Sequence, residues 1–160
     1  EPLSPSFIAV TPTGTERTAA TTESIRGVRR ALMHLRSGGA LGLFPSGAVS
    51  DLSLREGCVR DRMWQPAIIR LIAKAQVPIL PVRFFDGNSL LYYSLGLIDW
   101  RIRLLRLPAE VFNKAGHPAR LSIAPLVSVE EQEEYLASHT TEEFGLWLRN
   151  KVYGMTMGYK

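Results

Sequence analysis

The chain reads as an α/β domain: a mostly parallel sheet flanked by helices. Three observations predict this. Short apolar runs with strand character stand at Ala40 to Phe44, Pro78 to Phe84 and Arg120 to Pro125. Amphipathic helical patterns lie between them, and strands alternating with helices favour a parallel sheet. Across 160 residues no repeat, low-complexity tract or linker divides the chain, so it reads as one domain.

The first element is a short strand at Phe7 to Val10, followed by a hydroxyl-rich loop, Thr11 to Arg17. Thr21 or Thr22 is a candidate cap for a helix starting near Glu23. Ile25, Val28, Leu32 and Leu35 share one face of that helix, with Arg26, Arg29, Arg30 and Arg36 turned away. Gly38 and Gly39 tolerate positive φ and stop it. Ala40 to Phe44 is then a buried strand. Pro45 ends its ladder and Gly47 turns the chain. Ligands of parallel sheets bind beyond the carboxyl ends of strands, so the loop Pro45 to Asp51 is the first candidate site.

Leu52 to Gln65 reads as a long loop near that site, carrying Arg55, Glu56, Arg60, Asp61, Arg62 and Trp64. Pro66 opens a second helix with a broad apolar face. Pro78 to Phe84 is the next strand, and Asn88 or Ser89 caps the segment after it. In Leu90 to Leu107, aromatic and aliphatic residues are joined by Arg101, Arg103 and Arg106. Two readings stand side by side: a core segment with arginines alternating outward, or an apolar edge resting on a bilayer. Ser128 and Glu131 form a capping-box pattern, and another helix starts at Thr140 or Thr141.

The net charge of +4 is compatible with acidic substrates, nucleic acid or an anionic membrane and selects none of them. A single cysteine, Cys58, cannot close an internal disulfide, which favours a cytosol-facing compartment. No apolar run reaches the roughly 18 residues of a membrane span. The start at Glu1 suggests a chain with a further segment upstream. Ser46 lacks the flanking glycines of a nucleophile elbow, and no Gly-x-x-x-x-Gly-Lys phosphate loop exists. His34, His117 and His139 have no metal-ligand spacing with Cys58. The residues alone give an anion-binding loop and no catalytic base.

Four blocks in order carry a resemblance. Leu43-Phe44-Pro45-Ser46-Gly47 follows Gly38-Gly39, and Val77-Pro78-Ile79-Leu80-Pro81-Val82 comes later. Together they resemble the lysophospholipid (glycerolipid) acyltransferase family. Phe44-Pro45-Ser46-Gly47-Ala48-Val49-Ser50, Arg60-Asp61-Arg62-Met63-Trp64, and Asn88-Ser89 ahead of Tyr92-Tyr93 are similar to its hemolysin-like branch, which includes ornithine-lipid acyltransferases. The likeness spans about Phe7 to Pro125. It implies transfer of an acyl chain from acyl carrier protein or coenzyme A to a lyso-lipid acceptor, with no bound cofactor and no metal. It places the protein in the cytoplasm, peripheral to the inner face of the membrane, with Leu90 to Leu107 as a membrane contact. The substrate site would take in Phe44, Pro45, Ser46, Gly47, Ala48, Val49, Arg60, Asp61, Trp64 and Asn88.

The family's base is the His of a His-x-x-x-x-Asp motif, which takes the acceptor's proton. Only His34 precedes the Phe-Pro block here, and the residue five positions on is Gly39, so the motif is expected upstream of Phe7. The family's Glu in that block is Ser46, and the Arg that often follows is Val49. That argues against lysophosphatidic acid as acceptor, although backbone donors around Ser46 and Gly47 remain. The rival readings are a non-catalytic lipid- or anion-binding module and, without a supporting motif, a basic nucleic-acid-binding domain.

Overall fold

The computed structural model describes residues 22–55 and 57–157. Its elements are α1 (Thr22–Arg36), β1 (Asp51–Ser53), β2 (Cys58–Arg60), α2 (Pro66–Ala75), β3 (Val82–Phe84), α3 (Leu90–Ile98), α4 (Trp100–Asn113), β4 (Leu121–Ile123), α5 (Val129–Leu136) and α6 (Thr141–Tyr153). The expected strand at Phe7 to Val10 and the loop Thr11 to Arg17 lie outside the described residues.

The expected mostly parallel sheet is absent among the described residues, which correct the α/β assignment to a helix-rich fold with two small antiparallel sheets. β1 pairs with β2, and β3 pairs with β4 in the register Val82↔Ile123 and Phe84↔Leu121. Beyond Pro81 and Pro125 the second ladder resumes at Ile79↔Val127. The physical reason lies in residues 40–44. They form no strand, and Leu43 and Phe44 face outward. An apolar run becomes a strand only where a ladder partner is open to it, and the stretch around β3 is paired with the stretch around β4. Residues 52–65, read as a loop, instead build most of the β1–β2 hairpin.

The helix signals hold where they rest on caps. α1 ends in a Schellman motif: Gly38 takes φ +86° and donates to the Leu35 carbonyl, while Gly39 donates to that of His34. Ser89 Oγ accepts from the Tyr92 amide at the start of α3. Ser128 accepts from the Glu131 amide, but Glu131 itself pairs with Lys151 at 2.9 Å, so the box there is only half made. The reciprocal box forms one helix later, between Thr140 and Glu143. The buried stripe of α1 is Gly27 and Ala31, and Ile25 is exposed. Small residues permit α1 to approach α2 closely, which a reading weighted by side-chain size misses.

The core is Ile69 on α2, Val127, and Phe144 and Leu148 on α6. Gly145 lets the two helices close, since a Cβ there would lie 3.0 Å from Ile69 Cγ1. Trp64, Tyr135 and Trp147 pack around this centre. In α3–α4 the pattern is inverted. Asp99, extended at φ −154°, ends α3 and caps α4 by accepting from the Arg101 amide. The inward side of this hairpin carries Tyr92, Tyr93, Arg103 and Glu110, all buried. The outward side carries Leu90, Leu91, Leu97 and Ile98 on α3, and Leu104, Leu105, Val111 and Phe112 on α4. The spacing of the exposed positions, i, i+1, i+7 and i+8 on α3, is that of one helical face. The reading of Leu90 to Leu107 as core is thereby corrected: its apolar side chains are largely outside and Arg103 is inside.

The buried carboxylate of Glu110 has an acid-sensitive role. It accepts from the Ser89 hydroxyl at 2.6 Å and the Ser89 amide at 2.7 Å, and it pairs with Arg106. These bonds to the charged form hold it below the usual carboxylate range. A depressed folded value stabilises the fold fully above the unfolded glutamate value of roughly 4.3 and loses that stabilisation as pH falls through the folded value. Glu110→Gln is therefore expected to flatten the decline of thermal stability between about pH 5 and 3, read by circular-dichroism melts at about one-unit pH steps.

Candidate functional site

The loop after residue 44 is a tight turn anchored on the segment leading into α2. The Pro45 carbonyl accepts from the Gln65 amide at 2.9 Å, and Gln65 Nε2 donates to the Ser46 carbonyl at 3.3 Å. Ser46 is buried, and its hydroxyl donates to the Ala48 carbonyl at 2.9 Å. The Gly47 amide donates to the Phe44 carbonyl at 2.9 Å. The loop thus spends its central amide and its hydroxyl on holding its own shape. The expected anion donor at Gly47 is committed elsewhere, and Ser46 is a turn-forming residue.

Gly47 takes φ +64°, and a Cβ there would run into Gln65 Nε2. Only glycine accepts this conformation freely. Gly47→Ala is expected to cost about 1–2 kcal/mol, mostly backbone strain, since the Gln65 tip can swing aside. A urea titration with an unchanged m-value checks it.

The loop runs on into β1, and there the structure brings several expected site residues together. The Ser50 hydroxyl donates to the Asp61 carboxylate. Asp51 is held by Arg62 Nε at 2.6 Å and by Arg103 from α4. Arg103 Nη2 also reaches the Val49 carbonyl at 3.4 Å. Arg103 is 4% exposed, and its stem passes beside Gly96, where a Cβ would lie 2.8 Å from Arg103 Cδ. This single side chain ties the inverted hairpin α3–α4 to the loop.

Arg60 and Asp61 sit opposite the end of α6. The Asp61 amide donates to the Tyr153 hydroxyl at 2.9 Å, and Arg149 Nη2 donates to the Asp61 carbonyl at 3.1 Å. The guanidinium groups of Arg149, Arg83 and Arg60 lie 4.7, 5.3 and 5.5 Å from the Tyr153 ring. Burial pushes the Tyr153 phenol above its ordinary range. Asp51, Ser53, Arg60, Asp61, Arg62, Met63 and Arg149 line an open cleft of about 270 Å³.

The other expected site residues divide. Phe44 projects into solvent 6.5 Å from the Phe84 ring. Trp64 packs on the Ile69–Phe144 core. Asn88 accepts from Lys114 Nζ at 2.6 Å and donates its amide to Tyr93, so it serves the α3–α4 hairpin. His34 Nε2 lies 3.0 Å from the Ala40 carbonyl, at the end of α1, which is a capping position. The sequence reading placed Asp51 at the end of the candidate loop and missed Gln65, Arg103, Arg149 and Tyr153 as its partners. Of these only Arg149 and Tyr153 carried a signal, their i, i+4 spacing on one helix face.

Compared with known proteins, the chain matches no family profile, no curated protein and no solved structure. Among the described residues no helix is long and apolar enough to cross a membrane.

Proposed function

We propose that this chain is the lipid-acceptor side of an acyltransferase that works at a membrane surface. The observation that carries the reading is the inverted hairpin. α3–α4 turns Leu97, Ile98, Leu105 and Phe112 outward and folds Arg103 and Glu110 inward. Exposed apolar area on this scale marks an interaction surface, and an apolar helical face with cations at its margin suits a bilayer interface. Arg101 and Lys114 are exposed cations along α4 and at its end. Through Arg103 the same hairpin holds the Val49 end of the Phe44–Val49 loop.

Chemically, the loop supplies shape and an apolar mouth, with Phe44 and Phe84 side by side. The sequence holds no His-x-x-x-x-Asp pair, so deprotonation of the acceptor hydroxyl is assigned to a group outside these 160 residues. The acyl donor is a thioester of acyl carrier protein or coenzyme A. A loop without the family's Glu and Arg at Ser46 and Val49 favours an acceptor whose headgroup is not gripped there by phosphate contacts.

The test is acyl transfer by the full gene product. Labelled acyl-carrier-protein and acyl-coenzyme-A donors would be offered with ornithine-type and glycerophospholipid lyso-acceptors in vesicles, with product read by mass spectrometry. Formation of the acylated lipid supports the reading. Vesicle binding without transfer to any acceptor sinks it and leaves a lipid-binding module.

A further inference from the structure

We infer that the outer face of the β3–β4 ribbon is a self-association surface, on which a second copy of this chain stacks its own ribbon about a two-fold axis. This goes beyond acyl transfer and does not depend on it.

The two faces of the ribbon are unequal. One is spent on the body of the protein. Ile79 packs against the core, Val127 is part of it, and Pro81 is buried. Arg83 Nη1 donates to the carbonyls of Tyr153 and Met155, both at 2.7 Å, and Ser122 Oγ donates to that of Thr156 at 3.1 Å. Side chains alternate across a strand, so the paired positions Val82↔Ile123 and Phe84↔Leu121 face the other way. Leu80 and Leu126, next to the inward Ile79 and Val127, continue this outer row. Leu80, Phe84, Leu121, Ile123 and Leu126 are 46–58% exposed.

Five large side chains at that exposure bare about 550 Å² of apolar surface, the upper end of what a monomer leaves in one patch. A two-stranded ribbon is marginal in water, and its apolar face gains by being covered. Two such faces stacked about 10 Å apart bury about 1,100 Å² of apolar surface before any rim contact is added. That clears the roughly 1,000 Å² of a specific interface. A two-fold axis sets the same patch against itself, so no second complementary surface is needed. Charge does not oppose the pairing. Arg83 turns inward, and Arg120 donates to Asp86 from Nε at 2.7 Å and from its amide at 2.6 Å. The margin of α3–α4 differs, since it carries the exposed cations Arg101 and Lys114 that suit an anionic bilayer. A ribbon whose arginines are engaged suits a protein partner of its own kind.

Sedimentation equilibrium of the 160-residue chain from about 1 to 100 μM tests this, under reducing conditions that keep Cys58 from cross-linking copies. A monomer–dimer equilibrium is expected. Ile123→Lys and Leu121→Thr should each weaken it about tenfold or more, because each change occurs twice in a two-fold dimer. Threonine suits a strand, so Leu121→Thr keeps the test alive if a thermal melt shows that Ile123→Lys disturbs the ribbon. Phe84 is left unchanged because it also flanks Phe44. Leu105→Asp, on the other apolar face, should leave the dissociation constant within about twofold. A chain that stays monomeric at about 100 μM overturns the inference, and the face is then covered from within the chain or left bare. An assembly larger than a dimer, a dimer unchanged by the folded ribbon variants, or one lost in Leu105→Asp overturns it equally.

Discussion

Replacing Leu105 and Phe112 together by aspartate is expected to abolish binding to anionic phospholipid vesicles while leaving the fold intact. The two side chains are 83% and 79% exposed, so neither contributes to a core that the change could empty. Surface substitutions of this kind usually move stability by less than about 0.5 kcal/mol. On a bilayer the same side chains would each gain roughly 1.5–3 kcal/mol by leaving water. Losing both lowers the partition coefficient by about two to four orders of magnitude. The rim cations add about 1 kcal/mol each near an anionic surface, so wild-type binding should also weaken in high salt. Vesicle flotation measures both effects, with a thermal melt as the control. Unchanged flotation of the double variant would remove the membrane from this account. A loss of self-association by the variant, with no vesicle binding by the wild type, would assign the face to a second copy of the chain.

The second large effect is in the core. Phe144→Ala is expected to cost about 3–5 kcal/mol. Phe144 is fully buried, and it sits between Ile69, Val127 and Leu148 with the Trp147 ring 5.6 Å away. Emptying it removes the contact that joins α2, α6 and the bridge at Val127. For a domain of this size the melting temperature should fall by about 10 °C. Denaturant titration and calorimetry would read it, and a loss under about 1 kcal/mol would mean that the centre of packing lies elsewhere. Leu105→Ala serves as the matched comparison, since an exposed leucine should cost almost nothing.

The contrast between these two residues shows what was legible in the sequence. Caps were readable because they depend on local chemistry. Gly38, Pro66, Ser89, Ser128 and Thr140 stand where α1, α2, α3, α5 and α6 end or begin. Phe144 and Leu148 were readable because apolar residues at helical spacing normally face a core. Leu105 and Phe112 obey the same spacing and face outward, because their helix pair buries Arg103 and Glu110 against partners contributed from Asp51 and Ser89. Periodicity reports that a face exists, not which neighbour it meets. The same limit explains residues 40–44. Their composition suits a strand, but pairing is a long-range property, and their segment finds no ladder. Within the candidate site, the run from Phe44 to Val49 and the pair Arg60–Asp61 were visible as motifs; Ser50, just after the run, meets Asp61, while Phe44 faces solvent and Arg60 lies against Tyr153. Trp64 and Asn88 were visible and go to packing and to the helical hairpin. Arg103, the side chain that joins the hairpin to the loop, was counted among solvent-facing arginines, since nothing local marks an arginine as buried.

The most direct test of the central claim is the depth of the α3–α4 face on a bilayer. Nitroxide labels would be placed singly at positions 105, 112 and 134 in a Cys58→Ser background and examined by power saturation on anionic vesicles. Position 134 lies on the exposed side of the acidic helix α5. The account expects the labels at 105 and 112 to sit about 5–10 Å below the lipid phosphates, shielded from polar relaxants, and the label at 134 to stay in water. Labels at 105 and 112 as accessible from water as that at 134, on vesicles the protein binds, would contradict it.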